Sequence, residues 1–135
     1  MTRTIEGGCL CGAVRYRIEG EPLASGTCQC RTCRKASAAV IVPWLHVDAA
    51  KFSFIAGKPV EFQSSPAVTR TFCGRCGTPL TYWATKYGPT IDVTTASLDD
   101  PEAFPPIAHV WTSHKLSWVK LADGLPWLEE GAPSE

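Results

Sequence analysis

Seven cysteines in a chain of 135 residues fall into three tight groups, and that grouping constrains the fold more than any other feature. Cys9 and Cys11 sit in Gly8-Cys9-Leu10-Cys11-Gly12. Cys28, Cys30 and Cys33 sit in Cys28-Gln29-Cys30-Arg31-Thr32-Cys33. Cys73 and Cys76 sit in Cys73-Gly74-Arg75-Cys76-Gly77. Close pairs bordered by glycine can turn two sulfurs toward one point, which is what a tetrahedral zinc ion requires. Two pairs make a closed four-sulfur site of the structural kind. The triplet makes a three-sulfur site with one position open, and an open position can take a substrate atom.

Cys73-x-x-Cys76 with its glycines reads as half of a zinc-ribbon knuckle, and Cys9-x-Cys11 as a tighter pair. One ion holding both pairs would join the first strand to a central one and close a long loop. For the triplet two readings stand. In the first, His46, His109 or His114 supplies a fourth protein ligand and the site is structural. In the second, water or an exogenous thiol takes that place. Three anionic sulfurs weaken zinc as an activator of water but leave it a good holder of a further soft ligand. A free thiol is only a few per cent thiolate at neutral pH, and coordination makes it thiolate outright. The second reading therefore points to a thiol substrate. Arg31, Arg34 and Lys35, interleaved with the triplet, are candidates to pair with its carboxylates; plain charge balance is the alternative reading.

Size and composition bound the rest. This length suits one domain with a modest core, which a structural metal would reinforce. Eleven prolines and eleven glycines cut the chain into short pieces that suit strands and turns. Thirteen basic and thirteen acidic residues balance, so the basic excess of a nucleic-acid binder is missing. No charged segment leading into an apolar run and no ~20-residue apolar stretch is visible, so the chain is expected to be cytoplasmic, with no membrane partner. In that compartment thiols stay reduced, and an odd number of them fits disulfides poorly.

Alternation predicts strands over 13–18 and 51–55, an apolar and partly β-branched run predicts a buried strand over 39–45, and further strands are expected over 60–62, 67–72, 80–83 and 91–95, with short extended pieces at 109–112 and 117–120. Short helical turns are expected over 34–39, at 48–50 and within 98–104. Glu21-Pro22 and Ser25-Gly26 read as turns, and 129–135 as a flexible tail behind a domain of 1–128. The fold class is thus mainly β, one small domain of short antiparallel strands stabilised by two zinc sites. Of the five tryptophans, most are expected in the core and one or two at the mouth of the open site. No Ser-His-Asp pattern, phosphate loop or nucleotide fingerprint appears.

The order of motifs resembles the glutathione-dependent formaldehyde-activating enzyme family. The likeness is carried by Gly7-Gly8-Cys9-Leu10-Cys11-Gly12-Ala13-Val14-Arg15-Tyr16, by Cys28-Gln29-Cys30-Arg31-Thr32-Cys33-Arg34-Lys35 and by Phe72-Cys73-Gly74-Arg75-Cys76-Gly77-Thr78-Pro79-Leu80. It continues through Ser97-Leu98-Asp99-Asp100-Pro101 and His109-Val110-Trp111. The resemblance implies a tent-like β domain with two zinc ions, a structural one on Cys9, Cys11, Cys73 and Cys76 and one tied to activity on Cys28, Cys30 and Cys33. It implies a carbon–sulfur lyase that joins formaldehyde or a small aldehyde to glutathione or a similar thiol, giving S-hydroxymethylglutathione. Gln29 departs from the pattern, since many relatives carry histidine there. The competing expectation is a non-catalytic zinc-stabilised binding module, or a carrier of thiol or zinc.

Overall fold

The computed structural model describes residues 3–131. Ten strands and one helix follow in chain order: β1 (Thr4–Gly8), β2 (Arg15–Glu19), β3 (Ala24–Cys28), α1 (Arg31–Ser37), β4 (Val42–Asp48), β5 (Phe52–Ala56), β6 (Val60–Ser65), β7 (Val68–Phe72), β8 (Pro79–Ala84), β9 (Thr90–Thr94) and β10 (His109–Val110). They form a three-stranded sheet, β1-β2-β5, and a seven-stranded sheet, β10-β3-β4-β9-β8-β7-β6. Neighbours run antiparallel except β10, which lies parallel to β3. The fold is mainly β, as the sequence predicts. No helix among the described residues is long and apolar enough to cross a membrane.

Alternation decides which side of each strand is buried. Tyr16 and Ile18 on β2 turn inward while Arg15 and Arg17 turn out, and Arg15 closes a bidentate pair with Asp99 at 2.9 and 2.5 Å. On β4, Leu45 and Val47 turn the same way as Val93 of β9. These side chains, with Ile5, Leu80, Leu98 and Phe104, fill the space between the two sheets. Gly7 is required there: a Cβ would press on the Tyr16 ring and come 2.6 Å from the Ser97 carbonyl oxygen. The Tyr16 hydroxyl is hydrogen-bonded to Ser97 Oγ at 2.7 Å, so the buried phenol is satisfied.

Several expectations need correction. Ser25-Gly26 is not a turn but the middle of β3, paired with Leu45 and Trp44. β1 has no counterpart among the predicted strands; its Thr-Ile-Glu-Gly-Gly sequence carries one large apolar residue. Residues 117–120 form a turn and coil rather than a strand. The helix starts at Arg31, because Cys30 caps it: its Sγ accepts from the Cys33 N–H. Asp48 caps a single 3-10 turn over 49–51, as its sequence suggests. At the C-terminal end, the Glu129 and Glu130 carbonyls accept from the Ser113 and Trp111 N–H groups. Residues 132–135 of the expected tail lie outside the described part.

Candidate metal centres and the cavity beside them

Two hairpin connections bring the paired cysteines together. Cys9 and Cys11 lie between β1 and β2 of the small sheet; Cys73 and Cys76 lie between β7 and β8 of the large one. The two loops fold alike. The Cys9 N–H donates to the Val14 carbonyl and the Cys73 N–H to the Thr78 carbonyl, both at 3.0 Å. Each loop closes on a glycine in the left-handed region, Gly12 (φ 81°) and Gly77 (φ 83°). The Leu10 N–H donates to Thr78 Oγ1 at 3.1 Å and stitches one loop to the other. The cluster therefore sits on the seam between the sheets.

The four Sγ atoms lie within 4.8 Å of one another. Cys9 and Cys11 are 3.6 Å apart, Cys11 and Cys73 3.8 Å. Sulfurs at ~2.3 Å from one tetrahedral zinc are about 3.8 Å apart, so the donor set fits that ion. Backbone N–H groups already face the sulfurs: Val14 donates to Cys9 Sγ at 3.2 Å, and Arg75 and Cys76 donate to Cys73 Sγ at 3.3 and 3.4 Å. Such donors stabilise thiolates and fix their direction. Hydrogen bonding by Thr78 holds the Cys76 thiol down to about 5. For Cys11 the Ala13 N–H pulls downward, but desolvation and the neighbouring sulfurs prevail and push its thiol up to about 11.

The triplet forms where β3 runs into α1. Cys28 ends the strand, Cys30 caps the helix and Cys33 lies on the helix's inner side. Their three Sγ atoms also lie within 4.8 Å of one another. The sulfurs compete for charge. Contacts from Cys28 and then Cys33 hold the Cys30 thiol far below the ordinary range, while Cys30 and Cys33 together push Cys28 far above it. A bound cation resolves that conflict, because it lets all three ionise. Arg70 of β7, 8% exposed, reaches Cys33 Sγ with its guanidinium at 3.8 Å and lies over the Tyr82 ring at 4.9 Å.

No histidine or carboxylate joins either sulfur group among the described residues. The three histidines considered as fourth ligands are engaged elsewhere. His46 Nδ1 is 2.5 Å from Asp92 Oδ1. His109, 2% exposed, is hydrogen-bonded through Nδ1 to Thr27 Oγ1 (2.6 Å) and through Nε2 to Asp123 (2.9 Å). That Thr-His-Asp chain fastens the C-terminal segment to β3, and no sequence spacing announces it. His114 lies in a 3-10 turn beside Trp111, and its carbonyl accepts from Arg34.

The triplet opens on a cavity of about 520 Å³ that runs along the outer face of the large sheet. Its floor is made by the small residues Ala24 and Gly26 of β3, its walls by Trp44, Tyr82 and Trp111. The charged residues that line it are Arg70, Lys86 and Asp92, which the sequence did not single out; His46, considered there only as a fourth zinc ligand, lines it with them. Of the expected substrate contacts, Arg31 is exposed and absent from the lining; Arg34 donates to the Gln29 and His114 carbonyls. Lys35 lines a neighbouring cavity of about 540 Å³ that shares Thr32, Trp44 and Arg70 with the first. Gln29 is 0% exposed and its amide has no protein partner among the described residues; it does not line the cavity. Trp44 is the one buried tryptophan, while Trp118 and Trp127 are exposed, contrary to the expected core placement. Tyr16, Phe52 and Phe54 supply the aromatic part of the core instead.

A four-cysteine group on the seam of a two-sheet β domain and a three-cysteine group beside a cavity define the class of protein. A profile of the glutathione-dependent formaldehyde-activating enzyme family matches residues 4–114, and the chain belongs to that family. A protein of Halomonas elongata named "Putative glutathione-dependent formaldehyde-activating enzyme" is 27% identical over 127 residues, which is 87% of this chain and 80% of that one. A crystal structure of a Rhodobacter sphaeroides protein shares the fold, with a TM-score of 0.60 at 19% identity over 90% of this chain and 98% of that one.

Proposed function

We propose that this protein binds a glutathione-class thiol at Cys28, Cys30 and Cys33 and joins it to formaldehyde or another small aldehyde, a carbon–sulfur lyase type of reaction. One observation carries the reading: the group with three sulfurs opens on the cavity, and the group with four does not line it. Zinc is the proposed ion at both groups; at the triplet it would supply a soft centre that keeps an incoming thiol ionised at neutral pH. Cys9, Cys11, Cys73 and Cys76 hold the structural ion.

The chain's own residues then act around the thiol. Arg70 places positive charge beside Cys33, which favours anionic sulfur at that end of the cavity. Trp44, Tyr82 and Trp111 wall the space and keep bulk water from the sulfur. The thiol gives up its proton to solvent as it ionises; the thiolate attacks the carbonyl carbon, a C–S bond forms, the C=O π pair moves to oxygen, and that oxygen takes one proton back from solvent. The product is a hemithioacetal, S-hydroxymethyl when the aldehyde is formaldehyde. Arg31, Arg34 and Lys35 lie on the helix side of the triplet; Lys35, on the neighbouring cavity, is the one of them we retain as a substrate contact.

Calorimetry on the zinc-replete protein tests the reading. Glutathione should bind, S-methylglutathione should bind at least tenfold more weakly, and Cys30→Ser should remove the difference. Thiol-dependent formaldehyde consumption should exceed the uncatalysed rate. Equal binding of both compounds rejects the triplet as the thiol site. Binding without any rate above background assigns a thiol carrier rather than an enzyme.

A further inference from the structure

The cavity has a second charged end, offset from the triplet along the strands. On β3 and β4 the paired residues step away from the sulfurs in order: Cys28 opposite Val42, Gly26 opposite Trp44, Ala24 opposite His46. Four strand residues span ~13 Å. His46 is directly opposite Asp92 on β9 and bonded to it, with the side chains 27% and 18% exposed. Tyr87 stands edge-on to the His46 ring, and the Lys86 ammonium lies 4.9 Å from the centre of the Tyr87 ring. Asp92, His46, Lys86 and Tyr87 all line the same cavity as the triplet. A general acid or base must come within ~3 Å of the proton it moves, and a four-residue strand offset does not by itself supply that contact.

The distance fits a different task. In a γ-glutamyl thiol, seven bonds separate the sulfur from the α-carbon of the γ-glutamyl group. At the reach of an extended chain, ~3.3–3.6 Å per three bonds, they span about 8 Å, and the charged atoms lie about one bond further. A sulfur packed on the triplet stands ~3.5–4 Å off the cysteines. Together these cover the ~13 Å along the sheet. The γ-glutamyl end carries an ammonium and a carboxylate on one carbon. The far end of the cavity offers a carboxylate, Asp92, and an ammonium, Lys86.

We propose that Asp92, held by His46, and Lys86 form a subsite that reads the α-ammonium and α-carboxylate of a γ-glutamyl group, so the thiol is selected by its γ-glutamyl end. The inference rests on the thiol-binding reading above. In this arrangement His46 is a positioning residue: it orients Asp92. No proton need move at this end.

Calorimetric titration of the zinc-replete full chain with four thiols tests it: glutathione, γ-glutamylcysteine, N-glutarylcysteinylglycine (which lacks only the α-ammonium) and N-acetylcysteinylglycine. Glutathione and γ-glutamylcysteine should agree within threefold, and N-acetylcysteinylglycine should be at least tenfold weaker. Lys86→Ala should weaken glutathione and the glutaryl compound about tenfold and leave N-acetylcysteinylglycine unchanged. Asp92→Asn should weaken glutathione and leave the glutaryl compound unchanged. Lys86 is exposed, so its variant folds, and melting temperatures check both proteins. Equal affinity of the wild type for glutathione and N-acetylcysteinylglycine overturns the subsite, as does uniform weakening of all four thiols in both variants; thiol binding itself stands in either case. Absence of any thiol binding to the wild type overturns the thiol reading and the subsite together.

Discussion

Replacing one ligand in each sulfur group should separate a clamp from a binding site. Cys76 and Cys30 are both half-buried, so Cys76→Ser and Cys30→Ser differ little in burial cost. They differ in the loop that the ion closes. The four-sulfur group joins Cys11 to Cys73 across 62 positions, whereas Cys28 and Cys33 are five positions apart. Loop-closure entropy grows as (3/2)RT ln n, so the longer loop makes its ion worth about 2.2 kcal/mol more to the folded state. For a chain of this size roughly 3–4 °C of melting temperature corresponds to 1 kcal/mol, which gives an extra loss of about 7 °C. The assay is thermal unfolding of reduced, zinc-loaded protein followed by circular dichroism, with bound zinc measured by mass spectrometry. Both variants should lose metal, and Cys76→Ser should melt about 7 °C below Cys30→Ser. Equal melting temperatures, with both variants depleted of one ion, would refute the assignment of the seam cluster as the clamp.

Further outcomes follow from the geometry. Gly7→Ala should destabilise by about 1–3 kcal/mol in urea unfolding, because the new methyl group meets the Tyr16 ring and the Ser97 carbonyl, and Tyr16→Phe should cost about 1 kcal/mol through its lost hydrogen bond to Ser97. Arg15 holds the Asp99 carboxyl below its ordinary range; a lowered carboxylate contributes stability above the unfolded value near pH ~4 and loses it as pH falls through the folded value. Asp99→Asn should therefore cost under about 1 kcal/mol at pH 7, the pair being half-exposed, with the difference vanishing in acid and shrinking in salt. In the metal-free, reduced protein, peptide mapping after brief iodoacetamide treatment at pH 7 should find Cys76, held to about 5, and Cys30, also lowered, alkylated before Cys11, raised to about 11; Thr78→Val should slow Cys76 by removing its largest stabilising contact.

What the sequence shows of this molecule follows from the range over which its signals act. The cysteine groups are legible because ligand spacing is local, and Gly12 and Gly77 mark the turns that aim the sulfurs. β2 is legible because large apolar residues alternate along it, and β4 because it is part of an apolar, partly β-branched run, although the strand lies three residues later than the 39–45 expected. β3 is hidden for a physical reason. Its Ala-Ser-Gly-Thr-Cys sequence lacks bulky strand formers, since Ala24 and Gly26 leave room for the cavity above them. β1 is hidden because Gly7 must admit the Tyr16 ring. The cavity's polar cluster is hidden as a cluster because its members come from four separate places: Arg70 from β7, His46 from β4, Asp92 from β9 and Lys86 from the turn after β8. Only strand register brings them together. The cations next to the triplet in sequence attract attention by proximity, yet the helix turns Arg34 onto backbone carbonyls and leaves Arg31 in solvent.

The large sheet separates stability from chemistry through the period of two in its strands. On β4, Leu45 and Val47 face the small sheet, and Trp44 and His46 face the cavity. On β9, Val93 faces the core and Asp92 the cavity. The two sulfur groups obey the same division. One sits where the sheets meet. The other sits where β3 ends and lines the cavity. A one-residue slip of β4 against β9 would exchange Leu45 and Val47 for Trp44 and His46 and bury the His46 imidazole in the core, away from Asp92. The register that protects the core is therefore the same register that aligns the triplet with His46 and Asp92. Substitutions at 46 and 92 should therefore act on the cavity, and substitutions at 45, 47 and 93 on stability, while Trp44, buried in its own cluster beside the cavity, belongs to both.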